Sequence, residues 1–212
     1  MLDYRRSRKK MLMSVLMMIA LTLSLYASKS SVWTFNAAWD SYILTDDPLV
    51  LHSYDTVIQN STFYNDTAFG LTVSGSAKIP LFYTHNGMSS GSRAFRSSFD
   101  IDAAVLASAR METPHADIIF SLGLSGLFRF LMFNANTGLQ AILMFGPKAS
   151  ISSDIHITDT VSLNIGVDGT WQAFKVNYLK PDDRLYQGNA FSITPSIGLS
   201  IHNHSDNWSF GR

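Results

Sequence analysis

The sequence contains no cysteine and only one glutamate, Glu112, among its 212 residues. Without thiols there is no disulfide scaffold, no thiolate metal site and no cysteine nucleophile. The other fifteen acidic residues are aspartates. A helical protein draws on Glu, Lys and Ala, whereas the Ser, Thr, Asn, Asp and aromatic residues abundant here suit strands and turns. An excess of charge of either sign is also missing, since 16 Lys and Arg face 16 Asp and Glu. That balance is uneven along the chain. Arg5, Arg6, Arg8, Lys9 and Lys10 stand near the start with only Asp3 against them, so the chain beyond residue 27 keeps 11 bases and 15 acids. Such a chain is not a basic nucleic-acid binder. Beyond residue 27 every apolar run is soon broken by a polar residue or glycine, so no later helix is long and apolar enough to cross a bilayer.

Residues 1–27 read as a secretory leader. Arg5 to Lys10 form the positive segment, Met11 to Leu25 an apolar run broken by Ser14, Thr22 and Ser24, and Ala27 offers a small residue for cleavage. The run is short of the ~20 residues a membrane-spanning helix needs. The expected organisation is a signal peptide at 1–27, one domain at 28–202 and a tail at 203–212.

The remainder alternates with period two. From Phe191, the residues Phe191, Ile193, Pro195, Ile197, Leu199 and Ile201 share one face, and Ser192, Thr194, Ser196, Gly198, Ser200 and His202 the other. A helix would scatter that stripe around its circumference; a strand collects it on one side. The same alternation marks 161–173, 139–157, 120–132, 95–107, 69–81 and 33–40, giving seven strands. An eighth is expected over Leu49 to Gln59, with Asn60 to Asp66 as a polar loop after it. Thr158 to Thr160 and Asn134 to Thr137 read as turns, His85 to Ser92 and Asn177 to Asn189 as longer connections.

Two features set these strands apart from those of a soluble sandwich. Several alternations run for 12 to 18 residues, against ~5–6 in an ordinary strand. The polar face is Ser, Thr, Gly and Asn with isolated charges, lacking the Lys and Glu coat of a wet sheet. In a transmembrane barrel the apolar stripe meets lipid, the small polar stripe lines the lumen, and closure removes the unpaired edges. Eight strands leave an interior that side chains fill. Lys78, Arg96, Arg129 and Lys148 fall on the polar parity with Asp100, Asp102, Asp154 and Asp168. Four charges of each sign are expected to pair there and plug the lumen. Trp33, Trp39, Tyr42, Tyr54, Tyr64, Tyr83, Trp171, Tyr178 and Tyr186 near strand ends fit an interfacial belt.

With its leader, absence of cysteine and about eight alternating strands, the chain resembles the small outer-membrane β-barrels of diderm bacteria, of the OmpA-transmembrane, OmpX and OmpW type. The resemblance is one of pattern over almost the whole mature chain. It implies an all-β, antiparallel up-and-down transmembrane barrel in the outer membrane, in contact with lipid and inserted by the barrel-assembly machinery. Such proteins often end on an aromatic residue closing the last strand, whereas here His202 to Arg212 follow it, with Phe210 third from the end.

Chemistry-bearing patterns are sparse. His202, His204 and Asp206 share one parity, a spacing that can hold a metal, yet no third strong ligand is evident and solvated polarity is the favoured reading. Gly123-Leu-Ser-Gly126 departs from the nucleophile elbow and lies in mid-strand, and no Ser–His pairing shows on the outer rim. No cofactor is implied. The expected role is structural or surface-interacting and non-enzymatic. The alternatives are a soluble lipocalin-like barrel, with Phe, Leu and Ile turned inward around an apolar ligand, and a narrow channel for small solutes.

Overall fold

The computed structural model describes residues 28–44, 49–64, 68–85, 88–90, 95–133, 139–177 and 190–204. They form strands β1 (Ser28–Leu44), β2 (Leu49–Tyr64), β3 (Phe69–His85), β4 (Met88–Ser90), β5 (Phe95–Glu112), β6 (Ala116–Phe133), β7 (Leu139–His156), β8 (Val161–Gln172), β9 (Phe174–Asn177) and β10 (Ala190–His204). Eight of these are long. Each pairs antiparallel with its sequence neighbours, and β10 pairs with β1, which closes the sheet. The short β4 pairs antiparallel with the end of β3, and the short β9 carries the β8 edge onward along β7.

Register fixes the geometry of closure. A path perpendicular to the strands leaves β1 at Val32 and passes through Ser61, Thr72, Leu106, Gly123, Lys148, Thr170 and Ser192. It returns to β1 at Tyr42, ten residues further on. Eight strands staggered by ten residues tilt about 40° from the barrel axis. A 17-residue strand at that tilt rises roughly 43 Å along the axis. β1 begins and β10 ends at one end of the barrel, called here the terminal end, where β5 turns into β6 through 113–115 and β7 into β8 through 157–160; the opposite strand ends make the far end.

The short turns at the terminal end are held by threonine. Thr113 Oγ1 accepts from the Ala116 N–H at 3.0 Å and donates to the Ala116 carbonyl at 2.6 Å. Thr158 Oγ1 accepts from the backbone of Thr160 and Val161. These side chains satisfy backbone groups that the ladders leave behind.

The facing is unambiguous. Leu122 and Leu124 are 66% and 69% exposed, and Ile79, Ile101, Ile197 and Leu199 also point out. Thr34, Thr72, Ser108, Ser121, Ser192 and Ser200 are buried inside. The lipocalin-like alternative required the reverse facing, and the outward stripe overturns it. Apolar side chains also enter the interior: Val32, Phe63 and Ile119 cluster inside the terminal end, and Leu106, Leu127, Ile142 and Met144 are buried further along.

Three expectations are corrected. Asn60 to Asp66 is not wholly a loop, because β2 runs to Tyr64. Ser61 faces the lumen, where it bonds Thr72 at 2.8 Å, while Asn60 and Thr62 share the outer parity, where the Thr62 hydroxyl donates to Asn60 Oδ1 at 2.9 Å, so polar residues on both faces of the strand end give it a loop's composition. The last strand continues to His204, two residues past the expected boundary. Tyr42 is not in an outer belt: it is 1% exposed inside the barrel. Trp33, Trp39, Tyr54 and Trp171 do face outward, while Tyr178 and Tyr186 lie outside the described residues.

Close packing of β5 and β6 depends on Gly123. A Cβ there would run into the Val105 carbonyl oxygen and the Leu106 backbone. Gly123→Val is expected to stop the barrel closing, checked by loss of a compact, fast-migrating form on unheated SDS gels.

Candidate functional site: the charged lumen

The lumen is a polar interior assembled from every second residue of eight strands. Its densest part is a row in which charge alternates across four adjacent strands. Asp55 on β2 pairs with Lys78 on β3, Lys78 with Asp100 on β5, and Asp100 with Arg129 on β6. All four side chains are buried. Cross-strand neighbours of opposite sign stabilise a sheet, and here they also remove isolated charges from a water-poor interior.

The contacts follow the row. Arg129 donates through Nε and Nη2 to Asp100 Oδ2, at 2.8 and 2.6 Å. Its guanidinium lies 4.0 Å from the centroid of the Tyr42 ring, and the Tyr42 hydroxyl donates to Met144 Sδ at 3.0 Å. Lys78 Nζ donates to Asp40 Oδ1 at 2.9 Å and stands 3.8 Å from Asp55. The same Asp40 oxygen accepts from Thr194 at 2.6 Å and Ser192 at 3.0 Å. Lys148 forms a separate pair with Asp168 at 2.9 Å. The far half of the lumen is thus filled by side chains from β1, β2, β3, β5, β6, β7 and β10, tied to one another.

In the terminal half neutral groups outnumber charges, which are Arg110, Asp117 and Asp154 with His156 and Glu112 at the mouth. A run of hydroxyls crosses four strands, Ser61 to Thr72 to Ser108 to Ser121, at 2.8, 2.6 and 2.7 Å. On the other wall Asn36 Nδ2 donates to Asn164 Oδ1 at 2.6 Å. Asn164 Nδ2 and the Ser200 hydroxyl both donate to Asp154 Oδ1, at 2.7 and 2.6 Å. At the mouth, Ser162 Oγ bridges His156 Nδ1 and His202 Nε2 at 3.0 and 2.9 Å, and His156 Nε2 stands 3.4 Å from Asp117.

Of the eight charges singled out from parity, Lys78, Asp100, Asp102, Arg129, Lys148 and Asp154 are buried, and Asp168 is half-buried beside Lys148. Arg96 lies on β5 where the register shifts between Phe95 and Ser97; its side chain is outside the described residues. The expected pairing differs in detail. Lys78 takes Asp40 as its closest partner, and Asp154 is held by an amide and a hydroxyl where a cation was expected. Asp40, Asp55, Asp117 and Arg110 join the lumen without having been singled out. Asp40 was visible in the alternation of β1, and Asp55 was hidden because the β2 pattern is weak. Arg110 reaches across to Ser30 and lies over the Phe63 ring at 4.2 Å.

The histidines also differ from expectation. His202 turns into the lumen, where it meets Ser162 Oγ at 2.9 Å; the His204 side chain and Asp206 lie outside the described residues. A Ser–His pairing is present on the outer surface after all. Ser41 and His52 are direct cross-strand partners, with Oγ 3.2 Å from Nδ1, and His52 stacks on Phe82 at 4.6 Å. It was invisible in the sequence because the two residues meet only through the register of β1 and β2. Ser41 sits in a regular ladder between β2 and β10, which gives no strained elbow to expose a nucleophile. Among the described residues no third polar group orients His52.

The architecture so defined is that of the small, closed, eight-stranded barrels of bacterial outer membranes. The same fold is found in Neisserial surface protein A, with a TM-score of 0.56 and 13% identity over 82% of this chain and 97% of that one. It recurs in Ail, the attachment invasion locus protein of Yersinia pestis (TM-score 0.53, 9% identity, 83% and 99% covered). The outer membrane protein OprG of Pseudomonas aeruginosa shares it too (TM-score 0.54, 11% identity, 84% and 98% covered). No protein-family model and no curated protein matches the sequence.

Proposed function

We propose that this is an outer-membrane barrel of a diderm bacterium with a sealed lumen, serving envelope structure or surface contact and not solute flow or catalysis. One observation carries the reading: the barrel is apolar outside and ion-paired inside. A rise of roughly 43 Å exceeds the ~30 Å hydrocarbon core of a bilayer, so each long strand spans it with margin. Leu122 and Leu124, two-thirds exposed, would be an aggregation hazard in water and are at home in lipid. Inside, the row Asp55–Lys78–Asp100–Arg129 lines the wall, and the Lys78–Asp40, Arg129–Tyr42 and Tyr42–Met144 contacts reach from it and from β7 to β1 and fill the far half with side chains.

Residues 1–27 are the proposed export signal, and the outer-membrane assembly machinery and lipid are the proposed partners. With the terminal end in the periplasm, the far end faces outward.

The test is electrical. Purified protein in planar bilayers is expected to give no steady unitary conductance. Arg129→Ser, which removes the cation at the end of the charged row, is expected to raise the frequency of brief openings. Large, stable steps from the unaltered protein would favour the channel reading instead.

A further inference from the structure

A polar pair stands on the outward wall near the far end. Ser41 on β1 and His52 on β2 are direct cross-strand partners, with the hydroxyl 3.2 Å from Nδ1. Aromatic side chains frame them. The His52 ring stacks on Phe82 with centroids 4.6 Å apart, and the Trp39 ring lies 5.9 Å from His52 and 6.0 Å from Phe82. Tyr54 is the cross-strand partner of Trp39 and also faces outward.

An irregularity in the sheet builds this frame. His52 pairs with Phe82 and Ser53 with Pro80, so Leu81 has no partner on β2. Counted by twos from Lys78 and Pro80, both buried, Phe82 would point into the lumen. The extra residue turns it outward onto His52 instead. Bulges re-aim side chains in this way and gather next to functional sites.

Height on the barrel says what meets the pair. Ser41, His52 and Phe82 each stand three residues from the far-end limit of their strands, at Leu44, Leu49 and His85. At a tilt of about 40° this is about 8 Å below the strand ends. A barrel rising roughly 43 Å and centred on a ~30 Å hydrocarbon core leaves about 6–7 Å beyond the core at each end. The pair thus lies at the edge of the hydrocarbon, where lipid headgroups begin. A ring nitrogen without a partner is costly there. Among the described residues His52 Nε2 has no hydrogen-bond partner, since the ring's contacts are the Ser41 hydroxyl at Nδ1 and the rings of Trp39 and Phe82.

We propose that His52 and Ser41 hold the phosphate of a lipid in the outward-facing leaflet. This rests on the membrane reading above. The pair can donate in either state of the ring. When the ring is neutral, Ser41 donates to Nδ1 and Nε2–H points to the phosphate. When it is protonated, Nδ1–H donates to Ser41 Oγ, which frees the hydroxyl proton as a second donor, and the bonds become charge-assisted. Trp39, Tyr54 and Phe82 seat the glycerol and the first methylenes, as amphipathic aromatics do at an interface. Ile58 and Ile79 continue the same face toward the midplane, where acyl chains cover it. A phosphate carrying such chains fits this wall; a free anion would leave the aromatic and aliphatic surface unused.

The experiment uses the full-length barrel folded in a neutral maltoside detergent. Dimyristoyl phosphatidic acid and dimyristoylglycerol, which differ only in the phosphate, are titrated separately, and inorganic phosphate is added as a competitor. Retained lipid is counted by native mass spectrometry. The expected result is one phosphatidic acid per chain, held about tenfold more tightly than the diacylglycerol, the worth of one hydrogen bond to a charged group. Inorganic phosphate at matched concentration should not displace it. His52→Phe keeps the stack and removes the donors, and should bring phosphatidic acid down to the level of the diacylglycerol. Ser41→Ala should weaken it less. Should a variant fail to fold, the two lipids on the unaltered protein still decide. Equal retention of both lipids would overturn the proposal, as would undiminished retention in His52→Phe. Displacement by inorganic phosphate would overturn it too, by showing an anion site indifferent to lipid. A barrel that shifts on heating yet fails this test leaves the membrane reading intact, whereas a chain soluble without detergent removes both.

Discussion

Replacing Arg129 with alanine is expected to destabilise the barrel by about 3–5 kcal/mol, the range for removing one partner of a buried ion pair. Arg129 is 0% exposed, holds Asp100 through two nitrogens and covers the Tyr42 ring. Its loss strands the Asp100 carboxylate next to Asp40 and Asp55 with Lys78 as their nearest cation, and opens a void where the guanidinium lay. The measurement is reversible urea unfolding in lipid vesicles followed by tryptophan fluorescence. The double variant Arg129→Met, Asp100→Asn is expected to recover much of the loss, because it removes both charges and refills the volume. A double variant as unstable as the sum of its singles would show that the two residues act independently and that the charged row is incidental.

The second large effect concerns the outer face. Leu122→Arg places a guanidinium on the outward stripe of β6, near the middle of the barrel's height. In a bilayer this costs about 2–4 kcal/mol at the midplane, and insertion into vesicles should slow. In water the same change would be neutral, since Leu122 is already two-thirds exposed. Ser121→Arg, one residue away and facing inward, should do harm for a different reason, by overfilling the hydroxyl run with Ser108. Comparing folding in lipid vesicles with folding in detergent micelles separates the two, because only the Leu122 penalty depends on the surrounding apolar medium.

The barrel was legible in the sequence because its lining alternates strictly. Phe191 to His202 shows the period without a break, and the structure turns each residue of that stretch as the pattern requires. Eight long strands and the inward parity of Lys78, Asp100, Arg129, Lys148 and Asp154 follow from the same rule. What sequence could not show is register. Parity tells that Asp100 and Arg129 point inward; only the register of β5 against β6 makes them opposite neighbours. The same applies to Asp117 and Asp154, to Ser41 and His52, and to Asp40, which reaches Lys78 from a strand that does not pair with β3. The reading failed where polarity and periodicity conflict. Asn60 to Tyr64 looks like a loop because Asn60, Ser61 and Thr62 put polar side chains on both faces of the strand end, which breaks the apolar stripe. Tyr42 looks like an interfacial aromatic because it stands near a strand end. Its hydroxyl instead finds Met144 across the bore, and its ring supports a guanidinium.

The central claim is that a closed barrel carries its apolar surface outward into an outer membrane and its charges inward. Fractionating the native envelope and running the detergent-extracted protein on SDS gels, with and without boiling, tests this most directly. A protein recovered with the outer membrane that migrates faster unheated than boiled is the expected result. A protein released in the soluble fraction, with one mobility before and after heating, would contradict it.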